Sequence, residues 1–119
     1  MRYMIMTFGD QSGLQAKTKD WIREMIAFMQ TLDQDLRRSG ELVYEEGLAD
    51  PSQARTVVAV DGRPVVKNEP FIESRRSLAG FWIVDVESEE RAIEIASRIV
   101  DFIQEPIEVR QCMDEPPEI

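Results

Sequence analysis

The chain contains no histidine, and this absence restricts its chemistry more than any other property of its composition. Imidazole is the side chain that most often moves protons near neutral pH, so any reaction must use other groups. A serine nucleophile activated by histidine is excluded, although Ser74 and Ser77 lie in a charged segment. Any catalysis is therefore expected to depend on carboxylate and guanidinium groups.

Cysteine is almost absent as well, since Cys112 is the single one in 119 residues. One cysteine forms no internal disulfide, and no second cysteine or histidine is present to share a metal ion with it. The acidic residues show no spaced set of oxygen ligands, so we expect solvated surface acids rather than a metal site. The sequence predicts neither a metal nor a cofactor.

Long apolar runs and an excess of positive charge are also missing. The longest apolar stretches are about six residues, which predicts neither a membrane-spanning helix nor a signal peptide. Twenty-three acidic against fourteen basic residues give a net charge of −9, and such a surface repels phosphate backbones. We therefore expect a cytoplasmic protein that binds neither nucleic acid nor a membrane.

The chain is long enough for one domain with a core of its own, and its hydrophobic content of 43% is ordinary for a globular protein. The residue pattern predicts strand, long helix, strand, hairpin, long strand, helix and strand in that order. The domain is expected to span residues 1–111, followed by an acidic tail at 112–119 that is expected to fray. The predicted strands are 3–8, 42–45, 56–60, 63–67, 78–86 and 107–111, and the helices are 17–39 and the segment from Ser88 to Glu105-Pro106.

Short-range signals mark the boundaries of these elements. Thr18 and Ser88 are predicted helix N-caps, and Gly40 is the expected left-handed stop of the first helix. The Asp61-Gly62 pair predicts a tight hairpin turn, and Pro64 in the returning strand places that strand at an edge or outside the main sheet. The glycine-containing segment 9–13 is expected to be a simple break after the first strand.

Two β-α-β units with both helices on one face of a mostly antiparallel sheet predict an α+β, ferredoxin-like sandwich with an inserted β-hairpin. Such a sheet leaves its second face uncovered. Strands one and five carry more apolar residues than two helices can cover, namely Met4, Met6, Phe8, Phe81 and Trp82. We therefore expect a homodimer that pairs the open sheet faces into a dimeric α+β barrel with an internal cleft.

Several short segments, in this order, resemble the YCII-related or DGPF-domain proteins over nearly the whole chain. The Asp-Gly-Pro-Phe motif of that family is replaced here by Asn68-Glu69-Pro70-Phe71, so the chain resembles a divergent member. Glu73 is kept, Arg75 stands where the family has lysine, and Ala79-Gly80 replaces paired glycines. The segments that carry the resemblance are 1–6, Gly47-Leu48 with Pro51, Thr56-Val57, Asp61-Gly62, 70–73, 78–81 and 107–110.

This resemblance implies a dimeric ferredoxin-like barrel in a bacterial cytoplasm. Some YCII-related proteins resemble small hydrolases or dehalogenating lyases built around a His-Asp pair, which a chain without histidine does not contain. The turn before Pro70 is also expected to differ in shape, because Glu69 does not readily take the positive φ that glycine permits.

The segment 73–76 carries the best cluster of polar candidates. If it is a strand, Glu73 and Arg75 face one side and Arg76 faces the other. Arg75 would then clamp a substrate carboxylate or phosphate, with Glu73 as its orienting partner or as a general base. The alternative is a structural ion pair at a dimer seam, because structural pairs resemble functional sites.

The chemistry of their side chains makes other residues candidates for the same cleft. Glu45, Glu46 and Asp85 offer carboxylates, while Tyr44 and Trp82 combine apolar rings with polar atoms. The row Trp21, Met25, Phe28 and Met29 either lines a pocket or packs in the core, and packing is the ordinary explanation for an amphipathic helix. The ligand-binding candidates are Tyr44, Glu46, Phe71, Arg76, Trp82 and Asp85, and the catalytic candidates are Glu73 and Arg75.

Three functions fit the sequence, and it leaves open whether the protein is an enzyme. The first is a homodimeric barrel with a cleft for a small-molecule ligand and no histidine-dependent catalysis. The second is a lyase-, isomerase- or hydrolase-like enzyme that acts on a small carboxylated substrate through Glu73 and Arg75. The third is a regulatory or protein-interaction module.

Overall fold

The computed structural model describes residues 1–118 and shows an α+β fold, as the sequence predicted. Four strands form an antiparallel main sheet in the order β2-β5-β1-β6, and β3 and β4 form a separate hairpin. The strands are β1 (Arg2–Phe8), β2 (Leu42–Gly47), β3 (Thr56–Val60), β4 (Arg63–Lys67), β5 (Leu78–Asp85) and β6 (Glu108–Gln111), and the helices are α1 (Gln11–Gln15), α2 (Lys19–Ser39) and α3 (Glu89–Ile103).

The order of the strands interleaves two β-α-β units. In the unit β1-α2-β2 the two strands lie on either side of β5, and in the unit β5-α3-β6 they lie on either side of β1. Strand β5 is therefore inside the sheet, as predicted. Strands β2 and β6 are the edges, and the sheet of one chain is open rather than closed into a barrel. No helix within residues 1–118 is long and apolar enough to cross a membrane.

Both long helices pack on the same face of the main sheet. On that face, Ile5 of β1 and Val84 of β5 are fully buried against Leu32 of α2 and Ile99 of α3. Each such side chain contributes about 1.5–3 kcal/mol through removal of apolar surface from water. Ala92 and Ala96 are buried at the inner side of α3, where their small size lets the helix approach the sheet. The opposite face of the sheet is not covered by these helices.

The ends of the helices follow the predicted signals. Thr18 Oγ1 accepts a hydrogen bond from the Trp21 backbone N–H at 3.1 Å, and Gly40 takes the left-handed conformation at φ 78°. Ser88 caps α3 in the same way. Helix α3 ends at Ile103, before Pro106. Gln104 takes a left-handed φ of 56°, and its backbone N–H donates a hydrogen bond to the Val100 carbonyl.

An ion pair ties α3 to the beginning of β2. Arg91 donates two hydrogen bonds of 2.8 Å to the two carboxylate oxygens of Glu41, from Nε and from Nη2. This bidentate contact lowers the pKa of Glu41 below its usual range, mainly through the hydrogen bonds from Arg91. The contact fixes the edge strand β2 relative to the helix layer.

The β3-β4 hairpin stands apart from the main sheet, as Pro64 suggested. Its turn has φ 52° at Asp61 and φ 77° at Gly62, so the tight hairpin turn is confirmed. Every residue of β4 is exposed, and Val57 and Val66 remain about 60% exposed on the free hairpin. Its base is held by Thr56 Oγ1, which donates to the Glu69 carbonyl at 2.6 Å.

Two local predictions were wrong. The segment 9–13 is not a simple break, because Asp10 accepts hydrogen bonds from Ser12 Oγ and the Gly13 N–H and thereby caps the short helix α1. The segment 73–76 is not a strand but a 3₁₀ turn over Ser74–Arg76. Ser77 stabilises that turn, since its hydroxyl donates to the carbonyls of Ile72 and Glu73. The expected alternation of Glu73, Arg75 and Arg76 across a strand therefore does not exist.

Candidate functional site

A cleft of about 1100 Å³ opens between α2 and the β2-β5 end of the main sheet. Helix α2 contributes Trp21, Met25, Met29 and Asp33, which recur every fourth residue and therefore share one side of the helix. The opposite wall comes from β2 and β5. The segment that follows β1, including α1, forms the mouth of the cleft.

A bulge in β2 decides which of its carboxylates faces the helix layer. Leu42 pairs with Val84 of β5, but the next paired residue is Tyr44 with Ile83, so Val43 is an extra residue in the strand. A bulge of this kind inverts the alternation of side chains beyond it. Glu45 therefore pairs with Trp82 and faces α2, while Glu46 pairs with Phe81 on the other side of the sheet.

The inward-facing Glu45 meets Asp33 of α2. The Glu45 side chain is 28% exposed, and Arg37 Nη2 lies 3.7 Å from its Oε1 atom. Burial is the largest effect on Glu45 and, with the nearby Asp33 carboxyl, raises its pKa to about 7, although Arg37 and Trp82 act in the opposite direction. Near pH 7 the Glu45 carboxyl is therefore about half protonated.

The indole of Trp82 ends beside this carboxyl pair. Trp82 is only 7% exposed, and within residues 1–118 its Nε1 atom makes no hydrogen bond of ordinary geometry. The N–H is nevertheless close enough to Glu45 to favour its ionised form. Asp33 Oδ1 is also buried and has no donor among the described residues apart from the proton that Glu45 can offer.

Buried polar atoms without partners are rare, because each one costs about 1–3 kcal/mol of lost hydration. Here a donor on Trp82 and an acceptor on Asp33 lie at the wall of one open cleft. This arrangement is typical of a binding site whose polar groups are satisfied by a ligand.

The mouth of the cleft carries the two basic side chains. Lys17 places its ammonium 4.9 Å from the centre of the Trp21 ring, so this indole already interacts with a cation. Arg75 also lines the cleft, and it forms no ion pair with a carboxylate in the part of the chain that the structure describes. The acidic residues of the lining are Asp10, Asp33, Glu45, Glu46, Asp50 and Glu105.

Four of the residues that the sequence assigned to the cleft line it, namely Glu45, Glu46, Arg75 and Trp82, and so do Trp21, Met25 and Met29 of the helix row. Glu46 belongs to the lining although its side chain lies on the sheet face away from α2. Arg75 reaches it from the 3₁₀ turn before β5, and Trp82 contributes from β5 itself. The catalytic partner that was expected for Arg75 is elsewhere. Glu73 is mostly exposed and its nearest cationic partner is Arg76, whose Nε lies 4.0 Å from Oε1.

The remaining assigned residues lie outside the cleft. Tyr44 is exposed on the other sheet face, where its hydroxyl donates to Glu46 Oε2 at 2.6 Å. Phe71 is 91% exposed in the loop before the 3₁₀ turn. Asp85 is the last residue of β5, does not line the cleft and pairs with the amino group of Met1 at 2.9 Å.

Asp33 is the residue that sequence reasoning missed. Its signal is its spacing: it continues the row Trp21, Met25, Met29 by four positions and puts an acid at the end of an apolar stripe. An acidic residue in such a row faces the protein rather than solvent, so it needs a partner. The sequence offered Glu45 as a cleft carboxylate but gave no reason to pair it with Asp33.

The fold and the cleft define a small α+β protein with an acidic pocket between one helix and the end of its sheet. The YCII-related domain family matches residues 1–114, and the chain therefore belongs to this family. The chain is also similar to an uncharacterised protein of Rhizobium meliloti (strain 1021), with 24% identity over 96 residues, which cover 81% of this chain and 77% of the relative. The family resemblance found in the sequence is confirmed.

Proposed function

We propose that the protein binds a small organic molecule in the cleft, with a polar group of the ligand against Asp33, Glu45 and Trp82. The apolar body of the ligand then lies along Met25 and Met29. The buried Trp82 N–H carries the proposal. It makes no hydrogen bond of ordinary geometry within residues 1–118, and a bound molecule that brings it a partner, or that reorients Glu45 to accept from it, would offset this cost.

Arg75 extends this site toward the mouth. It lines the cleft and no carboxylate among the described residues pairs with it, so its guanidinium is available to an anionic group of the ligand. The sequence predicted this role for Arg75 together with Glu73. Because Glu73 is directed to Arg76, the proposal keeps Arg75 as a ligand contact and assigns the polar end of the site to Asp33 and Glu45.

Occupancy of the cleft is expected to change the intrinsic tryptophan fluorescence. The chain has two tryptophans, and both Trp21 and Trp82 line the cleft. A ligand from a screen of small amines, acids and aromatic compounds should therefore shift their emission, protect them from acrylamide and raise the melting temperature. Met25→Arg fills the cleft and should abolish these changes. The matched control Ile26→Arg introduces the same charge at an adjacent, 49% exposed position and should preserve them.

If no compound at millimolar concentration alters the emission or the melting temperature, the binding proposal is wrong. It is equally wrong if every response persists in Met25→Arg, because the compounds would then act elsewhere on the surface.

We also propose that two copies join through the open faces of their ferredoxin-like sheets, which gives the dimeric barrel that the family resemblance implies. The register places Met4 opposite Ile83 and Met6 opposite Phe81 on the side away from the helices. These four apolar side chains are only half-buried in a single chain. A stable interface removes about 800 Å² per partner from water, and a sheet face of this kind is a suitable centre for it.

Sedimentation at micromolar concentration should give the mass of two chains. Met6→Arg puts a charge at the centre of the proposed interface and should produce monomers. Val57→Arg puts the same charge on the exposed hairpin and serves as the control that should leave the dimer intact. A wild-type mass of one chain would contradict the dimer without bearing on ligand binding in the cleft.

A further inference from the structure

We propose that the Asp33–Glu45 pair receives a protonated amine, so that the cleft selects organic ammonium ions carried on an apolar or aromatic body. This inference rests on the proposed binding function and specifies the chemical class of the ligand. Asp33, Glu45 and Trp82 form the inner wall of the cleft. The inference follows from the Asp33 and Trp82 atoms that have no hydrogen-bond partner among residues 1–118, from the charge of the lining and from the apolar surface beside the pair.

The unpaired atoms of the wall fit an ammonium group. An ammonium has three donors and no acceptor, so it can replace the Glu45 proton and donate to Asp33 and Glu45 at the same time. Glu45 is then fully ionised, and its other oxygen becomes an acceptor for the Trp82 N–H. One cationic group thereby provides partners for the Asp33 carboxylate, for Glu45 and for the buried indole.

The charge of the lining also favours a cation. Besides Glu46, whose side chain lies on the other sheet face, five acidic residues line the cleft against Lys17 and Arg75, and a concave surface of one sign concentrates ions of the opposite sign. A free carboxylate at the inner wall would meet two acidic side chains, Asp33 and Glu45, and would be repelled. A neutral alcohol could hydrogen-bond there but would gain nothing from the charge of the pair.

The surroundings favour an organic cation over a metal ion. Among residues 1–118, no group of three or more carboxylate, cysteine or histidine side chains has the geometry of a metal site. Calcium and magnesium prefer six or more oxygen ligands, whereas the wall here offers one carboxyl pair. Next to that pair lie Met29 and the indole of Trp82, which suit an apolar ligand body.

Binding of the amine must release a proton. The Glu45 carboxyl gives its proton to solvent, and the carboxylate that remains pairs with the incoming ammonium, so charge and atoms balance. The charged groups that face Glu45 are Asp33 and Arg37 from α2, and its neighbour on β5 is the uncharged indole of Trp82. With a pKa of about 7, Glu45 is about half protonated at pH 7, and about half a proton should be released per amine bound.

The test compares three probes of similar shape by calorimetry and tryptophan fluorescence: 2-phenylethylamine, 2-phenylethanol and 3-phenylpropionate. We expect the amine to bind at least about tenfold more tightly than the other two at pH 8. Below pH 7 its affinity should fall by up to about tenfold per pH unit, because the proton competes with it. Calorimetry at pH 7 in buffers of different ionisation enthalpy should show the release of about half a proton per amine bound.

Variants separate the pair from general effects of charge. Asp33→Asn and Glu45→Gln should each weaken amine binding at least about tenfold and leave binding of the alcohol unchanged. Asp35→Asn is the matched control, because Asp35 lies on the same helix but pairs with Arg98 at 2.6 Å on the surface. That variant should bind the amine as the wild type does.

The possible results distinguish this inference from the binding proposal itself. If the alcohol or the carboxylate binds as tightly as the amine, or if the amine binds without proton release, the inference is overturned and the cleft remains a ligand site. Competition of magnesium or manganese ions with the amine at Glu45 would overturn it in favour of a metal site. If none of the probes and no other small molecule alters the tryptophan signal, the binding proposal fails as well.

Discussion

Glu45→Gln is expected to make the protein more stable than the wild type by about 2 kcal/mol at pH 8. Burial and Asp33 raise the pKa of Glu45 in the folded protein to about 7, well above that of an unfolded glutamate. The folded state therefore holds the proton more tightly than the unfolded state, and wild-type stability falls between about pH 5 and pH 7 as this proton is lost. A pKa shift of this size corresponds to about 3 kcal/mol of unfolding free energy. Because the Glu45 side chain is partly exposed, we expect the smaller effect of about 2 kcal/mol.

Urea unfolding at pH 5 and pH 8 measures this difference. The two proteins should have similar stabilities at pH 5, where Glu45 is protonated, and should diverge at pH 8. Glu46→Gln is the matched control, because Glu46 is the exposed neighbour whose side chain lies on the other face of the sheet. Its stability should follow that of the wild type at both pH values. A Glu45→Gln variant that is less stable than the wild type at pH 8 would contradict this prediction, because it would show that the neighbouring groups stabilise the ionised Glu45 carboxylate in the folded protein.

Trp82→Ala and Trp82→Phe are expected to separate the structural role of the indole from its role at the cleft. Trp82 is 7% exposed and belongs to the main core, so the alanine variant should lose about 3–5 kcal/mol of unfolding free energy. The phenylalanine variant keeps most of the apolar contact and removes an N–H that has no partner within residues 1–118. It should therefore lose only about 1 kcal/mol.

Amine binding should be impaired in Trp82→Phe even though the stability of this variant changes little. Without the N–H that favours ionised Glu45, the pKa of Glu45 should rise further in Trp82→Phe, and an amine should bind more weakly at neutral pH. Denaturant unfolding and amine titration of the same variant measure both effects. If Trp82→Phe is as unstable as Trp82→Ala, the N–H is well paired in the free protein and the stability prediction is wrong. If Trp82→Phe binds amines like the wild type, the N–H has no part in the site.

Much of the fold could be predicted because its signals are local. Thr18, Gly40 and Ser88 mark helix ends through contacts with residues three or four positions away, and Asp61-Gly62 needs only its own backbone conformation. The wrong predictions also concern short segments. At 73–76, the hydroxyl of Ser77 stabilises a turn in a sequence that alternates like a strand.

The candidate site could be predicted only in part, because it depends on contacts between distant elements. Trp82 was expected in the cleft from its combination of an apolar ring and a polar N–H, but the register that puts Glu45 opposite it is set by the bulge at Val43. Regular alternation from Leu42 would have turned Glu46 toward the helix instead. No residue type in β2 indicates a bulge, so the sequence did not show which of the two adjacent glutamates, Glu45 or Glu46, faces the helix.

The most direct test of the carboxyl pair and of its proposed ligand is a carbon-13 NMR titration of the Glu45 side-chain carboxyl, with and without saturating 2-phenylethylamine. The account predicts a midpoint near pH 7 in the free protein, and a clear shift of this midpoint to lower pH when the amine is bound. A free-protein midpoint in the usual glutamate range, or one that the bound amine leaves unchanged, would contradict the account.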